Sequence, residues 1–197
     1  MRNLVLAALV VFPVLAFAAE LEIGAAAPAF SLVNAVDGKS YAFKPGDGKV
    51  SVLIFTCNQC PYAKAFQQRL SDIATEYSAK GAVFYAINPN DDQKFEEETL
   101  DNMKARAVSQ KYPFPYLKDG DSSVARAYGA RVTPHVFVVD GRGTLRYRGY
   151  IDDSAKPEQR SKTGLTNALD AILANQPVAE TVTREFGCTI KFAAAGK

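Results

Sequence analysis

The chain contains few side chains that bind soft metal ions, because only three of its 197 residues are cysteine and only one is histidine. Cys57 and Cys60 form a C-x-x-C motif, and such a motif is half of many zinc sites. The other soft candidates, Cys188 and His135, stand singly and far from the motif. A four-ligand zinc site is therefore disfavoured, and redox chemistry of the cysteine pair is the favoured interpretation.

The chain also lacks an excess of charge of either sign, since 23 basic residues face 21 acidic ones and the formal net charge is +2. Lysine and arginine are spread among the acidic residues and form no basic patch. We therefore expect no nucleic acid partner. The densest run of one sign is Glu96-Glu97-Glu98, which we predict to be a solvated face and not an acidic docking site.

Only one long apolar run is present, and it lies at the N-terminus. A short basic start is followed by the apolar segment Leu4 to Ala18, which ends in the small-x-small pattern A-F-A. This pattern predicts a secretory signal peptide over residues 1–19, with an uncleaved membrane anchor as the alternative. We expect an exported, periplasmic or similar protein that is not stably inserted in a membrane after cleavage.

No repeat, low-complexity tract or linker divides the remaining sequence. We therefore predict one domain over residues 20–176, which is long enough to bury a single core. A C-terminal tail, residues 177–197, follows it and carries Cys188.

The C-x-x-C motif lies between a predicted strand and a predicted helix. Val50 to Phe55 is a continuous β-branched and aromatic run, which indicates a central parallel strand buried on both faces. From Cys60 to Lys80 apolar residues recur at helical spacing, and a strand from Val83 to Ile87 follows. A thiol at such a helix N-terminus faces the positive end of the helix dipole, which favours the thiolate.

The second half of the chain predicts a β-hairpin and a final helix. Val132 to Asp140 forms the first hairpin strand and Thr144 to Tyr150 the second, with a glycine-rich turn between them. Gly164 to Asn175 has the pattern of an amphipathic helix. A further helix is predicted between the two halves, from Thr99 to Gln110.

A βαβ unit with C-x-x-C at its first helix, followed by Thr133-Pro134 at the start of a β-hairpin, resembles the thioredoxin fold. The segment G-x-x-A-P-x-F-x-L from Gly24 to Leu32 resembles the peroxiredoxin-related and TlpA/ResA-type branch of that family. The resemblance runs from about Ile23 to Asn175. It implies an α/β protein with three α/β/α layers, a central mixed β-sheet and an N-terminal β extension.

The resemblance also implies a role for each residue of the motif. Cys57 would be the exposed attacking cysteine, Cys60 the buried resolving cysteine and Pro134 a cis-proline that faces them. The activity implied is thiol-disulfide exchange of the Cys57–Cys60 pair with protein thiols and disulfides, without a cofactor or a bound metal. Because proline has no N–H, Pro134 cannot compete for the sulfurs, and the backbone of Thr133 can pair with an extended substrate. If the chain reduces its substrates, it needs electrons from a membrane thiol transporter.

Two departures from this family pattern concern proton transfer and redox potential. The strand before the motif has no acidic residue, and Thr56 stands where cytosolic thioredoxins carry an aromatic residue. TlpA-like reductants often carry a glutamate soon after the second cysteine, whereas this chain has Ala63 and Lys64 there. The proton-transfer group is therefore missing or comes from elsewhere, and the direction of electron flow stays open.

Three alternative functions remain. A thiol peroxidase would need P-x-x-x-T-x-x-C, but Ile54 stands three residues before Cys57, and neither cysteine fits the pattern. A Sco-like copper chaperone would use C-x-x-x-C and a histidine; the spacing here is one residue short, although His135 follows Pro134 directly. A structural module with a permanent disulfide is the third alternative.

Cys188 lies in an apolar, β-prone stretch, Phe186 to Phe192, beyond the last predicted helix. We expect this stretch to add a strand that contains a buried, inert cysteine. The alternative is that Gly187 permits a tight bend and brings Cys188 to the active site, as a third redox thiol that takes the disulfide from Cys57.

Overall fold

The computed structural model describes residues 20–194 of the chain. The predicted signal peptide, residues 1–19, lies outside the described residues. Among the residues described, no helix combines the length and the apolar character that a membrane crossing requires.

A mixed sheet of seven strands forms the centre of the fold, in the order β2-β1-β5-β4-β3-β7-β8. The central strand β3 pairs in parallel with β4 and antiparallel with β7. The strands of this sheet are β1 Phe30–Asn34, β2 Ser40–Phe43, β3 Val50–Phe55, β4 Ala82–Asn88, β5 Tyr116–Lys118, β7 His135–Val139 and β8 Leu145–Gly149. Two shorter strands, β6 Val132–Thr133 and β9 Cys188–Thr189, pair with each other outside the sheet.

Helices cover both faces of the sheet, and alternate residues of β3 point into the two layers. Val52 and Ile54 pack against helices α1 and α4 on one face, and Leu53 and Phe55 pack against α3 on the other. The helices are α1 Pro61–Ala79, α2 Leu100–Ser109, α3 Ser123–Tyr128 and α4 Gly164–Leu173. This three-layer α/β/α arrangement is the thioredoxin fold, as the sequence motifs indicated.

Helix α1 begins directly after the C-x-x-C motif. Cys60 is its N-cap residue, and the Cys60 sulfur accepts a hydrogen bond from the N–H of Ala63 at 3.5 Å. Pro61 follows at the first helical position, where its missing N–H leaves no hydrogen bond unmade. The sequence therefore starts the helix at a place that leaves both cysteines at its N-terminal end.

The predicted strand from Val132 to Asp140 is divided in two at Pro134. Residues His135 to Val139 join the sheet as β7, whereas Val132 and Thr133 pair with β9 of the C-terminal tail. Because proline has no N–H to donate, it interrupts the ladder of hydrogen bonds at this point. The tail thereby becomes part of the structure around the cysteines.

The described part of the tail, residues 177–194, contacts the rest of the domain at several points. Its residue Ile190 is buried in the core on the α3 side of the sheet and donates its N–H to the carbonyl of Arg131 at 2.9 Å. The carbonyl of Lys191 accepts a hydrogen bond from the N–H of Asp91 at 2.7 Å. These contacts hold the tail in register next to β6.

The layer arrangement predicts a large difference between two leucine-to-alanine substitutions. Leu169 of α4 is fully buried, so Leu169→Ala leaves a cavity and is expected to lower the free energy of unfolding by roughly 2–5 kcal/mol. Leu100, at the start of α2, is 40% exposed, and Leu100→Ala is expected to cost less than about 1 kcal/mol. Urea denaturation of both reduced proteins measures the difference, and equal losses would contradict the packing of α4 on the sheet.

Candidate active site

Cys57 and Cys60 lie at the junction of β3 and α1, and both are buried. Their exposed fractions are 3% and 2%, so the expectation that Cys57 is exposed is wrong. The physical reason is the C-terminal tail, because β9 lies next to the motif and Cys188 packs against both cysteines. All three cysteines are free thiols.

Thr133 contacts both sulfurs of the motif. The thiol of Cys60 donates to the carbonyl oxygen of Thr133 at 3.0 Å, and the Thr133 hydroxyl oxygen lies 3.2 Å from the sulfur of Cys57. The peptide bond between Thr133 and Pro134 is cis. Since a carbonyl oxygen only accepts hydrogen bonds, this contact keeps a proton on Cys60, whereas the hydroxyl of Thr133 is able to donate to a Cys57 thiolate.

The two sulfurs titrate as a pair. The interaction between the thiols of Cys57 and Cys60 is the largest influence on the pKa of each, and it separates the two ionisations of the pair. Burial and then the negative charge of Glu98 add to the raised pKa of Cys57. The second proton of the pair is therefore held more firmly than the first.

The carboxylate of Glu98 lies next to the C-x-x-C motif. The prediction of a solvated face is wrong for this residue, because Glu98 is only 1% exposed. The carboxylate accepts hydrogen bonds from the N–H groups of Asn58 and Gln59 at 2.8 and 3.2 Å, and from the side chains of Asn88 and Asn90 at 2.8 and 3.4 Å. These donors replace water around the carboxylate and hold the loop between the two cysteines.

The sequence reasoning missed Glu98 as a site residue, although a signal was present. Strands β3 and β4 are parallel, so their carboxyl ends lie at the same edge of the sheet. The loop that leaves β4 therefore passes the C-x-x-C motif that follows β3, and Glu98 belongs to the short 3₁₀ helix Glu96–Glu98 in that loop. The acid that the motif lacks in its own strand is thus supplied by a neighbouring loop.

Residues around the motif hold Asn58 in a second network. Its side-chain N–H donates to the carbonyl of Glu97 at 2.6 Å, and its side-chain oxygen accepts from the hydroxyl of Tyr116 at 3.0 Å. Burial raises the pKa of Tyr116 well above its usual value, so the hydroxyl stays protonated and donates. Asn58, the first of the two residues between the cysteines, is therefore held through both its backbone and its side chain.

His135 is buried next to two carboxylates and not next to the thiols. Its ring nitrogens have no hydrogen-bond partner among residues 20–194, and one of them groups with oxygens of Glu20 and Glu185 within 4.8 Å. Burial lowers the pKa of His135 to about 4, so the ring is neutral at pH 7. Arg131 pairs with Glu185 at 2.5 Å and with Glu20 at 3.4 Å, and Arg148 also pairs with Glu20.

This geometry bears on the alternatives left by the sequence. Two arginines already neutralise the carboxylates beside His135, and in the described part of the chain His135 forms no ligand set with the two cysteines of the motif. The copper-chaperone arrangement is therefore not assembled. No arginine donates a hydrogen bond to Cys57 in the described residues, so the group that a peroxidase uses at its sulfur is also not in place.

Cys188 lies beside the motif and not in a remote part of the core. It stands directly opposite Thr133 in the β6–β9 pair, is partly exposed, and packs against Cys57, Cys60 and Ala63. A Cβ atom on Gly187 would lie 2.2 Å from the Thr133 carbonyl oxygen, so only glycine permits this approach. The added strand is present as expected, and the geometry matches the alternative in which Gly187 brings Cys188 to the thiols.

Known proteins share both the sequence pattern and the fold. Thiol:disulfide interchange protein DsbE of Yersinia pestis is 29% identical over 129 residues, which are 64% of this chain and 63% of that protein, so the chain spans less than two thirds of this relative. The crystal structure of an uncharacterized conserved protein from Geobacillus kaustophilus is 37% identical and has a TM-score of 0.83, over 89% of this chain and 94% of that one.

A hypothetical protein from Sinorhizobium meliloti 1021 is 35% identical, with a TM-score of 0.82 over 90% of this chain and 98% of that one. The sequence pattern of the AhpC/TSA family matches residues 23–148, which include β1 to β7, most of β8 and the whole C-x-x-C region. The chain therefore belongs to the AhpC/TSA family, which is thioredoxin-like and peroxiredoxin-related.

Proposed function

We propose that the chain is a thiol-disulfide oxidoreductase that exchanges its Cys57–Cys60 pair with the thiols and disulfides of protein partners. The contact of Thr133 with both sulfurs carries the proposal. Its hydroxyl contacts the sulfur of Cys57 and its carbonyl accepts from the thiol of Cys60, so the two thiols lie together in different environments. The similarity to an interchange protein supports the same reaction class.

The proposed reaction follows from the proton positions in the pair. The thiolate of Cys57, with the hydroxyl of Thr133 donating to it, attacks a disulfide of the partner and forms a mixed disulfide. One partner sulfur leaves and takes up a proton. Cys60 then loses its proton and attacks the Cys57 sulfur, which releases the second partner sulfur. Two electrons and two protons pass to the partner, and a Cys57–Cys60 disulfide remains.

We propose that the chain reduces its partners and does not oxidise them. Thiol-disulfide oxidoreductases that act as oxidants stabilise their cysteine thiolate. A stable thiolate favours the reduced form of the enzyme, so the oxidised enzyme readily takes electrons from its partner. Here the N–H groups of Asn58 and Gln59 donate to Glu98, so neither is available to a thiolate, and the carboxylate charge opposes ionisation of Cys57. The reduced protein therefore gains no thiolate stabilisation from these two N–H groups, and the charge of Glu98 favours loss of its electrons.

The place of action and the electron source belong to the same proposal. The basic start and apolar run over residues 1–19 support export to a periplasmic compartment. Because protein thiols become oxidised there, a reductant needs a supply of electrons, and a membrane thiol transporter is the class of partner that would deliver them.

The two cysteines are expected to behave differently in a trapping experiment. Cys60→Ser lacks the thiol that resolves the mixed disulfide, so this variant is expected to accumulate a covalent complex with a disulfide-containing peptide. Cys57→Ser lacks the attacking thiol and is expected to form much less of it under the same conditions. Non-reducing electrophoresis and mass spectrometry measure the complexes, and an equal yield from the two variants would contradict the assigned order of attack.

Glu98→Gln is expected to lower the pKa of Cys57 and raise the reduction potential of the pair. The substitution keeps the shape but removes the negative charge that opposes ionisation of Cys57. A tenfold change in the exchange equilibrium corresponds to about 30 mV. Ultraviolet titration of the thiolate and equilibration with glutathione buffers give the two readouts.

Glu97→Gln is the matched control for this substitution, because Glu97 belongs to the same 3₁₀ helix but its side chain is exposed. It is expected to leave both the titration and the potential unchanged. If the two variants have the same potential and the same titration curve, Glu98 does not control the thiols.

A further inference from the structure

The short strand β6 is already paired, and the partner segment carries a cysteine. In an antiparallel pair the residues directly opposite each other have neighbouring side chains. Thr133 faces Cys188 in this register, and Thr133 contacts the sulfurs of both Cys57 and Cys60. The tail therefore presents Cys188 where an extended protein partner, pairing with the same backbone, would present its own cysteine.

Of the two cysteines of the motif, Cys60 is the one whose thiol influences the pKa of Cys188 most. Cys188 packs against the cluster of Cys57, Cys60 and Ala63, and its thiol and the Cys60 thiol each shift the pKa of the other. The sequence hypothesis has Cys188 take the disulfide from Cys57. Cys188 lies opposite Thr133, whose carbonyl accepts from the Cys60 thiol, so we take Cys60 as the sulfur that Cys188 reaches.

The tail is held on both sides of Cys188. On the N-terminal side, the ring of Phe186 lies 5.8 Å from the rings of Tyr62 and of Phe66 in α1. On the C-terminal side, Ile190 is buried and bonded to Arg131. Between them, Gly187 lets the tail backbone touch Thr133. Cys188 is thus positioned by packing, and a disulfide between Cys188 and Cys60 would not require a new fold.

We propose that Cys188 is a third redox thiol of the site and exchanges with Cys60. In the oxidised protein the thiolate of Cys188 attacks the sulfur of Cys60. The bond between Cys57 and Cys60 breaks, a bond between Cys60 and Cys188 forms, and Cys57 leaves as a thiolate that takes the proton given up by Cys188. No electrons enter or leave, so the exchange needs no further oxidant.

The oxidation state of the pair governs the reactivity of Cys188. In the reduced protein, burial first and then the interaction with Cys60 raise the pKa of Cys188 to about 11. Oxidation of the pair removes this interaction with the Cys60 thiol, while the N–H of Tyr62 and the positive charge of Lys191 still favour the Cys188 thiolate. Cys188 is therefore a weak nucleophile while the pair is reduced and a better one after the pair is oxidised.

The exchange has a consequence for the proposed function, on which this inference rests. A Cys60–Cys188 disulfide fastens the tail across β6 and leaves Cys57 as a thiol beneath it. A protein partner that pairs with β6 has to displace β9 first, and it cannot do so while the disulfide is closed. The spent enzyme would then be blocked until its own reductant reopens the disulfide.

Tryptic peptides report directly on the exchange. Cys57 and Cys60 lie together in peptide 50–64, and Cys188 lies in peptide 185–191. After equilibration in glutathione buffers, acid quenching and non-reducing digestion, we expect a linked pair of these peptides in the wild type. Cys57→Ser is expected to contain more of it, because only the Cys60–Cys188 bond remains available. If neither protein contains the linked pair at potentials that oxidise the wild-type Cys57–Cys60 pair, the inference is wrong.

A glycine substitution separates the position of the tail from the presence of the thiol. Gly187→Ala retains Cys188 but places a methyl group against the Thr133 carbonyl, so we expect the Cys60–Cys188 link to fall about tenfold. Gly120→Ala is the matched control, because a Cβ there meets no atom within 4 Å. An undiminished link in Gly187→Ala would show that β9 docking does not direct the exchange.

Insulin reduction separates this inference from the proposed function. Cys188→Ser retains the Cys57–Cys60 pair but cannot close the blocking disulfide, so it is expected to reduce insulin with dithiothreitol faster than the wild type. If the link forms but no variant reduces insulin, the proposed function fails and the exchange stands. If Cys188→Ser reduces insulin and the wild type shows no link, the proposed function stands and the exchange is wrong.

Discussion

The pairing of β3 with β7 is the constraint on which the rest of the site depends. Its register sets Phe55 opposite His135, and these are the last residue of one strand and the first of the other. Cys57 follows Phe55 by two residues and Thr133 precedes His135 by two, so the ladder brings a motif and a loop that are 76 residues apart into contact. The fully buried Leu53, Ile54 and Phe55 make this pairing stable, because any shift would expose them or leave cavities.

The thiols are enclosed by two other parts of the chain. Glu98 arrives from the loop after β4 and occupies the N–H groups of the motif, and β9 arrives from the tail and covers the sulfurs. Glu98 raises the pKa of Cys57 through its negative charge, although its hydrogen bonds go to N–H groups and not to the sulfurs. The pairing of β9 changes access, since an edge that is paired within the chain is not open to another strand. The C-x-x-C motif is therefore enclosed by a buried carboxylate on one side and by the C-terminal tail on the other.

The groups around the Cys57 sulfur indicate which chemistry this member of the AhpC/TSA family supports. The family match covers the junction that places Cys57 and Cys60 at the N-terminal end of α1, but among the described residues no arginine donates a hydrogen bond to Cys57. Here the neighbours of Cys57 are another thiol, a threonine hydroxyl and a buried carboxylate. These neighbours favour thiol-disulfide exchange, because the reactive group next to the Cys57 sulfur is another thiol.

The sequence by itself determined the position of the C-x-x-C motif between a strand and a helix and the hairpin strands near 132–140 and 144–150, and its resemblance to the thioredoxin fold implied the fold class. These features depend on local patterns: apolar periodicity, a proline at the start of a helix, and turns rich in glycine. Only the tertiary structure decided the burial of Cys57, the role of Glu98 as a buried acid and the neighbour of Cys188. These depend on the β3–β7 register, on parallel strands that end at one edge, and on a tail that docks through Gly187. No local pattern records them, because the residues that make each contact lie far apart in the chain and meet only after the sheet has formed.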